Sequence, residues 1–396
     1  FQGAAGSKAS LTQTLVKATP LLLVGLGVCI AFRGGVINIG GEGQIIVGAL
    51  AATAIAIGFA GWPRIIIALF LFVLYCAAPF VNVRVDTSIS DTLVRVGMNG
   101  VLVLAMVPMV QSGCGLNFGL PLGIIAGLLG AVTSLQIGIT GVAGFLIAAA
   151  IAIPIAAVLG WAYGLLLNRV KGDEMMIATY VGFSSVAIMC IAWLLLPYTS
   201  PTMIWGYGGS GLRTTISVEG FWLKILSKYL YLQIGEFFYV PLGMFVFFGL
   251  MVFLVWAFFR TKLGTAMTAV GSNPEFARAS GIDVDNMRTI SVVISTVLGA
   301  IGILVYEQSF GFIQLYMGPF YMAFPAVAAI LLGGASVNKA TMVNVVVGTF
   351  LFQGILTMTP SVINSVMQTD MSEVIRIIVS NGMILYALTR KVVVKR

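Results

Sequence analysis

Residues 143–167, AGFLIAAAIAIPIAAVLGWAYGLLL, contain no charged side chain and no alternation of polar with apolar positions. A run of about 20 such residues, coiled as an α-helix, matches the hydrocarbon thickness of a bilayer. Comparable runs fall at 20–32, 43–60, 64–81, 99–111, 122–137, 175–197, 238–259, 289–308, 320–333, 341–358 and 374–389, several of them too short to cross alone. Their continuity argues against a β-barrel, whose strands alternate. The whole 396-residue chain agrees, being 59% hydrophobic and 9% charged with a mean hydropathy of +1.06. A soluble domain carries roughly a quarter charged residues, so a water-soluble enzyme is ruled out. The expected fold is all-α: a polytopic membrane protein of about ten transmembrane helices, with broken helices near the midplane.

The net charge of +8 invites a nucleic-acid reading, but the basic residues sit in short loops and at the C-terminus, where they act as topology signals. No nucleic acid is expected as partner. There is no histidine, and Cys29, Cys76, Cys114 and Cys190 are far apart with no CxxC pair, which makes a metal site or a disulfide framework improbable. Without histidine the usual Ser/His and Cys/His nucleophiles are also missing. No GxxxxGK[ST] run exists, so any ATP-driven step needs an ATPase on another chain. The chain is expected to bind no cofactor itself.

Arg260, Lys262, Arg278 and Arg288 mark the 260–288 connection, and Arg390, Lys391, Lys395 and Arg396 mark the C-terminus. The positive-inside rule places both in the cytoplasm, and the four apolar segments between them make the two assignments agree. The Arg169-Val170-Lys171 turn, two spans earlier, falls on the same side. The 198–236 connection then lies outside, where Trp205, Tyr207, Trp222, Tyr229 and Tyr231 suit a headgroup-level aromatic belt. Glycines interrupt the apolar sequence at Arg33-Gly34-Gly35, at Gly113 to Asn117 and at Gly333-Gly334. Broken helices at membrane depth are tolerated only where they line a cavity or are buried in protein. Residues 34–48 also align with 113–127 at constant shift, pairing Asn38 with Asn117 and Gly48 with Gly127, so one element occurs twice.

Within RTKLGTAMTAVGSNPEFARASGIDVDNMR (260–288), Ser272 or Asn273 can cap a short helix that has Pro274 at its first position, Glu275 in its first turn and Gly281 at its close. This segment resembles the cytoplasmic coupling helix of permease subunits in ABC importers of the family that moves simple sugars, nucleosides and branched-chain amino acids. Residues 318–339, MGPFYMAFPAVAAILLGGASVN, resemble that family's glycine-rich segment, although Met322 stands where the pattern usually carries an acid. The run GGVINIGGEGQ at 34–44 resembles the nucleoside-type signature. The resemblance implies that Gly271, Asn273, Pro274, Ala277, Ala279, Ser280 and Gly281 contact a P-loop ATPase subunit, which holds ATP-Mg. It further implies an extracytoplasmic solute-binding protein, a second permease subunit, identical or paralogous, and residence among the lipids of a bacterial inner membrane with a cytoplasmic C-terminus. The cargo would be a nucleoside or simple sugar, moved by alternating access without chemistry on this chain.

Residues 64–396 hold the expected ten-helix permease, and 1–63 read as a partial, permease-like segment from a paralogue or a duplication. For the solute pathway the residue types point to Asn117, Phe118 and Gln308, joined by Asn38 and Glu42 if the first segment belongs to the same fold. Glu373 and Arg376, spaced to neutralise each other on one helix face, read as a structural pair. The alternative function is an ion-coupled secondary transporter or a channel, which typically carries carboxylates within its spans. Glu307 is the chief candidate here.

Overall fold

The computed structural model describes residues 64–205, 211–228, 230–234 and 236–367, with the single positions 379, 382 and 383. The expectations for 1–63, with Asn38 and Glu42, for the 374–389 span, for Glu373 and Arg376, and for Tyr207 and Tyr229 lie outside the described residues.

In chain order the elements are α1 (Arg64–Ala77), a 3-10 turn (Ala78–Val81), α2 (Val85–Leu104), α3 (Met106–Gln111), α4 (Leu120–Ile137), α5 (Gly141–Arg169), α6 (Glu174–Leu195), β1 (Thr215–Ser217), α7 (Ile225–Lys228), β2 (Leu232–Ile234), β3 (Phe238–Val240), α8 (Leu242–Phe259), α9 (Lys262–Ser272), α10 (Pro274–Ala279), α11 (Val284–Phe310), β4 (Phe312–Gln314), α12 (Gly318–Leu332) and α13 (Met342–Met367). Among the described residues seven helical segments are long and apolar enough to cross a membrane, with α2 and α3 forming one of them and two shorter apolar helices alongside. The protein is therefore a multi-pass, all-α membrane protein. The strands are short antiparallel pairs, β1 with β4 and β2 with β3.

The 99–111 run is part of a longer helix that begins at Val85. Its first half reads as too polar for a span, yet Ser88, Ser90 and Thr92 are buried. Each satisfies its hydroxyl within the helix by donating to the carbonyl four residues back, at 2.8 Å to Arg84, 3.0 Å to Asp86 and 2.8 Å to Ser88 respectively. Back-bonding removes the cost of burying the hydroxyl and makes the sequence more span-like than its composition suggests.

Helix α11 is the axis of the bundle, flanked by α2, α4 and α5. Glycines allow the approach: a Cβ added at Gly127 would lie 2.6 Å from the Ala300 carbonyl, and one at Gly160 2.9 Å from the Val293 Cα. Such small-residue contacts replace the hydrophobic driving force that is absent between helices in lipid. Burial separates the roles of the helices, with 78% of the α2–α3 window enclosed but only 17% of the α6 window. Helices α5, α6 and α8 turn large apolar side chains outward.

Two ends can be distinguished. At the basal end lie α9 and α10, the turn at 170–173, the break between α3 and α4, and the 333–341 turn, whose Ala340 carbonyl accepts from the Gln111 amide. The two connections assigned to one side by their charge share this end, where Lys171 pairs with Asp285 at 2.5 Å. The described residues of the 198–236 connection occupy the distal end. There they depart from a simple aromatic belt. Trp205 and Tyr231 are 46% and 53% exposed, but Trp222 is fully buried against Phe145, ring centroids 6.0 Å apart. The loop folds into the bundle because its backbone binds helix ends, with Val218 N–H donating to Gly311 O at 3.0 Å and Gly141 N–H to Phe221 O at 2.7 Å.

Candidate functional site

The basal elbow is built from caps. Thr261 Oγ1 accepts from Gly264 N–H at 3.3 Å to open α9, and Asn273 Oδ1 accepts from Phe276 N–H at 3.0 Å to open α10. With Pro274 at the first position, α10 starts as the spacing predicts. It ends in a Schellman motif: Gly281, at φ 81°, donates to Arg278 O at 3.0 Å, and Ile282 donates to Ala277 O at 3.0 Å. Asp283 Oδ1 then caps α11 by accepting from Asn286 N–H at 3.1 Å. The preceding helix α9 was not foreseen. Its sequence holds Gly264, Gly271 and three threonine or serine positions, and tertiary packing of Met267 and Val270 offsets that weak propensity.

Of the residues expected to contact an ATPase, Asn273, Pro274, Ala279, Ser280 and Gly281 are exposed. Ala277 points inward, into a small core with Val270, Val284 and Met287. Gly271 is also turned inward: a Cβ there would sit 2.1 Å from Gln111 O and 2.9 Å from Gly113 N. These two positions fit a relay more than a contact surface. Phe276, 67% exposed at the tip of the elbow, is the surface residue that sequence reasoning missed. An aromatic directly after Pro-Glu in so short a helix was the available signal.

From the elbow a buried polar ladder climbs into the membrane portion. Ser112 Oγ and Ser291 Oγ are 2.6 Å apart, and Arg288 Nε donates to Cys114 Sγ at 3.3 Å. The Arg288 guanidinium also forms an ion pair with Glu174 at the start of α6, both side chains being largely enclosed. One step higher, Asn117 Nδ2 donates to Ser295 Oγ at 2.7 Å, Ser295 Oγ donates to Ala105 O at 2.5 Å, and Tyr163 OH donates to Asn117 Oδ1 at 3.4 Å. The irregular segment 112–119 is thus held to α11 and α5 by its own side chains, and through Arg288 and Ser295 of α11 to Glu174 of α6 and to Ala105 O, as non-helical backbone in a membrane must be.

Asn117 is completely buried and belongs to this ladder. Beside it, Phe118 packs 6.3 Å from Phe324, which continues to Phe320 and to Phe183 of α6, the last pair 4.8 Å apart. This partly exposed aromatic strip joins the broken segment to α6 and α12. Gln308 is elsewhere: 13 residues beyond Ser295 on α11, or about 20 Å along the helix. Its Oε1 accepts from Leu226 N–H at 3.3 Å and its Nε2 donates to Val305 O at 3.1 Å, so it anchors the distal loop. Glu307 is fully buried, and neither carboxyl oxygen has a hydrogen-bond partner among the described residues. Asn344 holds the Gly333-Gly334 turn by donating to Gly333 O at 2.7 Å.

Three relatives are similar to this chain. The glucose ABC transporter permease protein of Haloferax volcanii is 40% identical over 72 residues, 18% of this chain and 19% of that protein. The autoinducer 2 import system permease protein of an Enterobacter species is 29% identical over 211 residues, 53% of this chain and 56% of the relative. The nucleoside ABC transporter permease protein of Lactococcus lactis subsp. cremoris is 23% identical over 339 residues, 85% of this chain and 70% of the relative. The chain thus spans about a fifth of the first relative and about half of the second. No solved structure matches it. Residues 88–387, running from α2 through the elbow and α11 to beyond α13, match a single family. The chain belongs to that family, described as branched-chain amino acid transport system / permease component.

Proposed function

We propose that the chain is the membrane-spanning permease subunit of an ATP-driven ABC importer for a small polar solute, a nucleoside or simple sugar. The observation that carries this reading is the capped elbow α9–α10 and its direct connection, through Gly271 and Arg288, to the broken segment 112–119. An elbow exposed at its tip and rigid at its base is suited to transmit the closure of a partner into the membrane. Under this reading the basal end is cytoplasmic, as its concentration of Arg and Lys supports, and the membrane is the bacterial inner membrane with the C-terminus inside. ATP-Mg belongs to a P-loop ATPase seated on Asn273, Pro274, Phe276, Ala279, Ser280 and Gly281. The chain itself holds no cofactor and catalyses no reaction. An extracytoplasmic binding protein presents the solute at the distal end, and a second permease subunit completes the pathway. Each partner acts by differential affinity for two conformations.

The pathway on this chain runs along Asn117, Phe118 and the aromatic strip, which offer a hydrogen-bonding group beside ring faces. Gln308 flanks its distal mouth, and Asn38 and Glu42 join it if 1–63 share the fold. We read 1–63 as a permease-like fragment that precedes the 64–396 permease in the sequence. The names of the relatives, glucose, autoinducer 2 and nucleoside permeases, support a hydroxyl-rich cargo.

Proteoliposomes holding the chain with its ATPase and binding protein test the reading. Uptake is expected to persist when proton and sodium gradients are dissipated at constant ATP, and Phe276→Ala is expected to lower uptake and solute-stimulated ATP hydrolysis together. The buried carboxyl of Glu307 favours a second reading, an ion-coupled transporter. Collapse of uptake with the gradients at constant ATP would establish that alternative.

A further inference from the structure

The distal end carries a cavity of about 610 Å³ lined by Lys224, Ser227, Lys228, Tyr231, Gln233 and Tyr239. It lies between α7 and the β2–β3 hairpin, and its walls are anchored. Lys224 is held in a left-handed conformation, φ 53°, with its N–H donating to Gln308 O at 2.6 Å. Lys228 follows one helical turn later, its N–H donating to Lys224 O at 2.8 Å, so both ammonium groups rise from one pinned turn. On the facing wall, Tyr239 N–H donates to Ser90 Oγ at 2.8 Å and fixes β3 to α2.

The hairpin has two chemically distinct faces. Gln233 and Tyr239 are cross-strand partners and line the cavity together with Tyr231, whose ring is 5.8 Å from that of Tyr239. The alternate residues Leu232 and Ile234 point the other way and are 45% and 59% exposed. Strand β3 leads directly into α8, whose Val246, Leu250 and Phe253 are exposed along its length. The apolar hairpin face therefore continues the outward surface of a membrane-crossing helix, which sets the hairpin at the boundary between headgroups and acyl chains. Among the described residues the ion pairs are Arg84–Asp86, Lys171–Asp285 and Arg288–Glu174, and both cavity lysines stand outside them.

We propose that this cavity binds the headgroup of an anionic phospholipid, with Lys224 and Lys228 on the phosphate and Ser227, Gln233 and the two tyrosines on the glycerol hydroxyls, while the acyl chains descend along α8. Two cations outside the ion pairs of the described residues supply the attraction, and the amphipathic hairpin supplies the depth at which a lipid, not a soluble molecule, is the nearest source of phosphate. The assignment of leaflet rests on the proposed sidedness, but the site itself does not depend on the cargo.

The test uses the full chain, purified in mild detergent and returned to phosphatidylcholine vesicles doped with phosphatidylglycerol, with retained lipid counted by native mass spectrometry. The expected result is a preference for phosphatidylglycerol, reduced on the order of ten-fold in the K224Q/K228Q double variant and retained in K224R/K228R. The arginine variant separates loss of charge from loss of fold. Equal phosphatidylglycerol retention by the wild-type and double-glutamine chains would overturn the proposal. So would saturable binding of inorganic phosphate in pure phosphatidylcholine vesicles that phosphatidylglycerol fails to displace, since the site would then serve a free anion. Unchanged lipid preference with reduced binding-protein-stimulated uptake in K224Q/K228Q would assign the surface to protein docking instead. None of these lipid readouts depends on ATP, so the importer reading can fail without them.

Discussion

Gly271 and Gly113 meet backbone to backbone, and at this contact a single methyl group is decisive. The Cβ of Gly271→Ala would fall 2.1 Å from Gln111 O, so α9 or the broken segment must shift. Overpacking of this kind costs about 1–3 kcal/mol. We expect Gly271→Ala to reach the membrane, to lose several degrees of thermal stability in detergent, and to import poorly. Asn117→Leu should be similarly destabilising, by about 1–3 kcal/mol, because the buried Tyr163 hydroxyl loses its acceptor. Glu307 should respond in the opposite sense. An isosteric Glu307→Gln breaks no hydrogen bond within the described structure, and we expect an unchanged or raised melting temperature with ATP-driven uptake preserved. Residue type alone singled out Asn117, Gln308 and Glu307, since polar atoms in an apolar run are conspicuous. Their different circumstances were not legible, because Ser295 lies 178 positions from Asn117 and the loop that Gln308 holds lies 82 positions away.

At the scale of elements, helix α10 was readable to within one residue, its cap narrowed to Ser272 or Asn273, because caps are local chemistry: Asn273, Pro274 and Gly281 each act within four positions. Helix α9 and the first half of α2 were not, since both depend on neighbours or on hydroxyls folding back on their own helix. Trp222 shows the same limit from the other side. An aromatic in an outer loop suits an interfacial belt, and only the docking of 218–224 on the end of α11 puts it in the core. Two predictions belong here. Gly281→Val must place a β-branched residue at φ 81°, costing about 1–2 kcal/mol, and should speed hydrogen exchange through 274–283 while leaving the membrane helices protected. Arg288→Gln should destabilise the basal end by about 1–3 kcal/mol, because Glu174 loses its charged partner and keeps only the Gly172 N–H. Adding Glu174→Gln should recover part of that loss, and a double-variant thermal melt reads the coupling directly.

For the molecule as a whole, apolar run length indicated the class of fold, and the distribution of charge put 169–171 and 260–288 on one side, where Lys171 meets Asp285; the C-terminus assigned with them lies outside the described residues. The order in which helices pack was hidden, because every span is apolar and the contacts are written in small residues scattered through all of them. Helix α11 is central for a reason visible only in three dimensions: α4 and α5 present glycines to it, and its own Gly302 receives Leu102 of α2. The lightly covered faces of α5, α6 and α8 are where lipid or another subunit must lie.

That central position also has a consequence for biosynthesis. Helices α4 and α5 are translated before α11, the helix against which their glycine faces close. Until the ribosome has delivered Val284–Phe310, those faces wait in the lipid without their partner, so the nascent chain stays vulnerable to membrane quality control while α6 to α10 are being made.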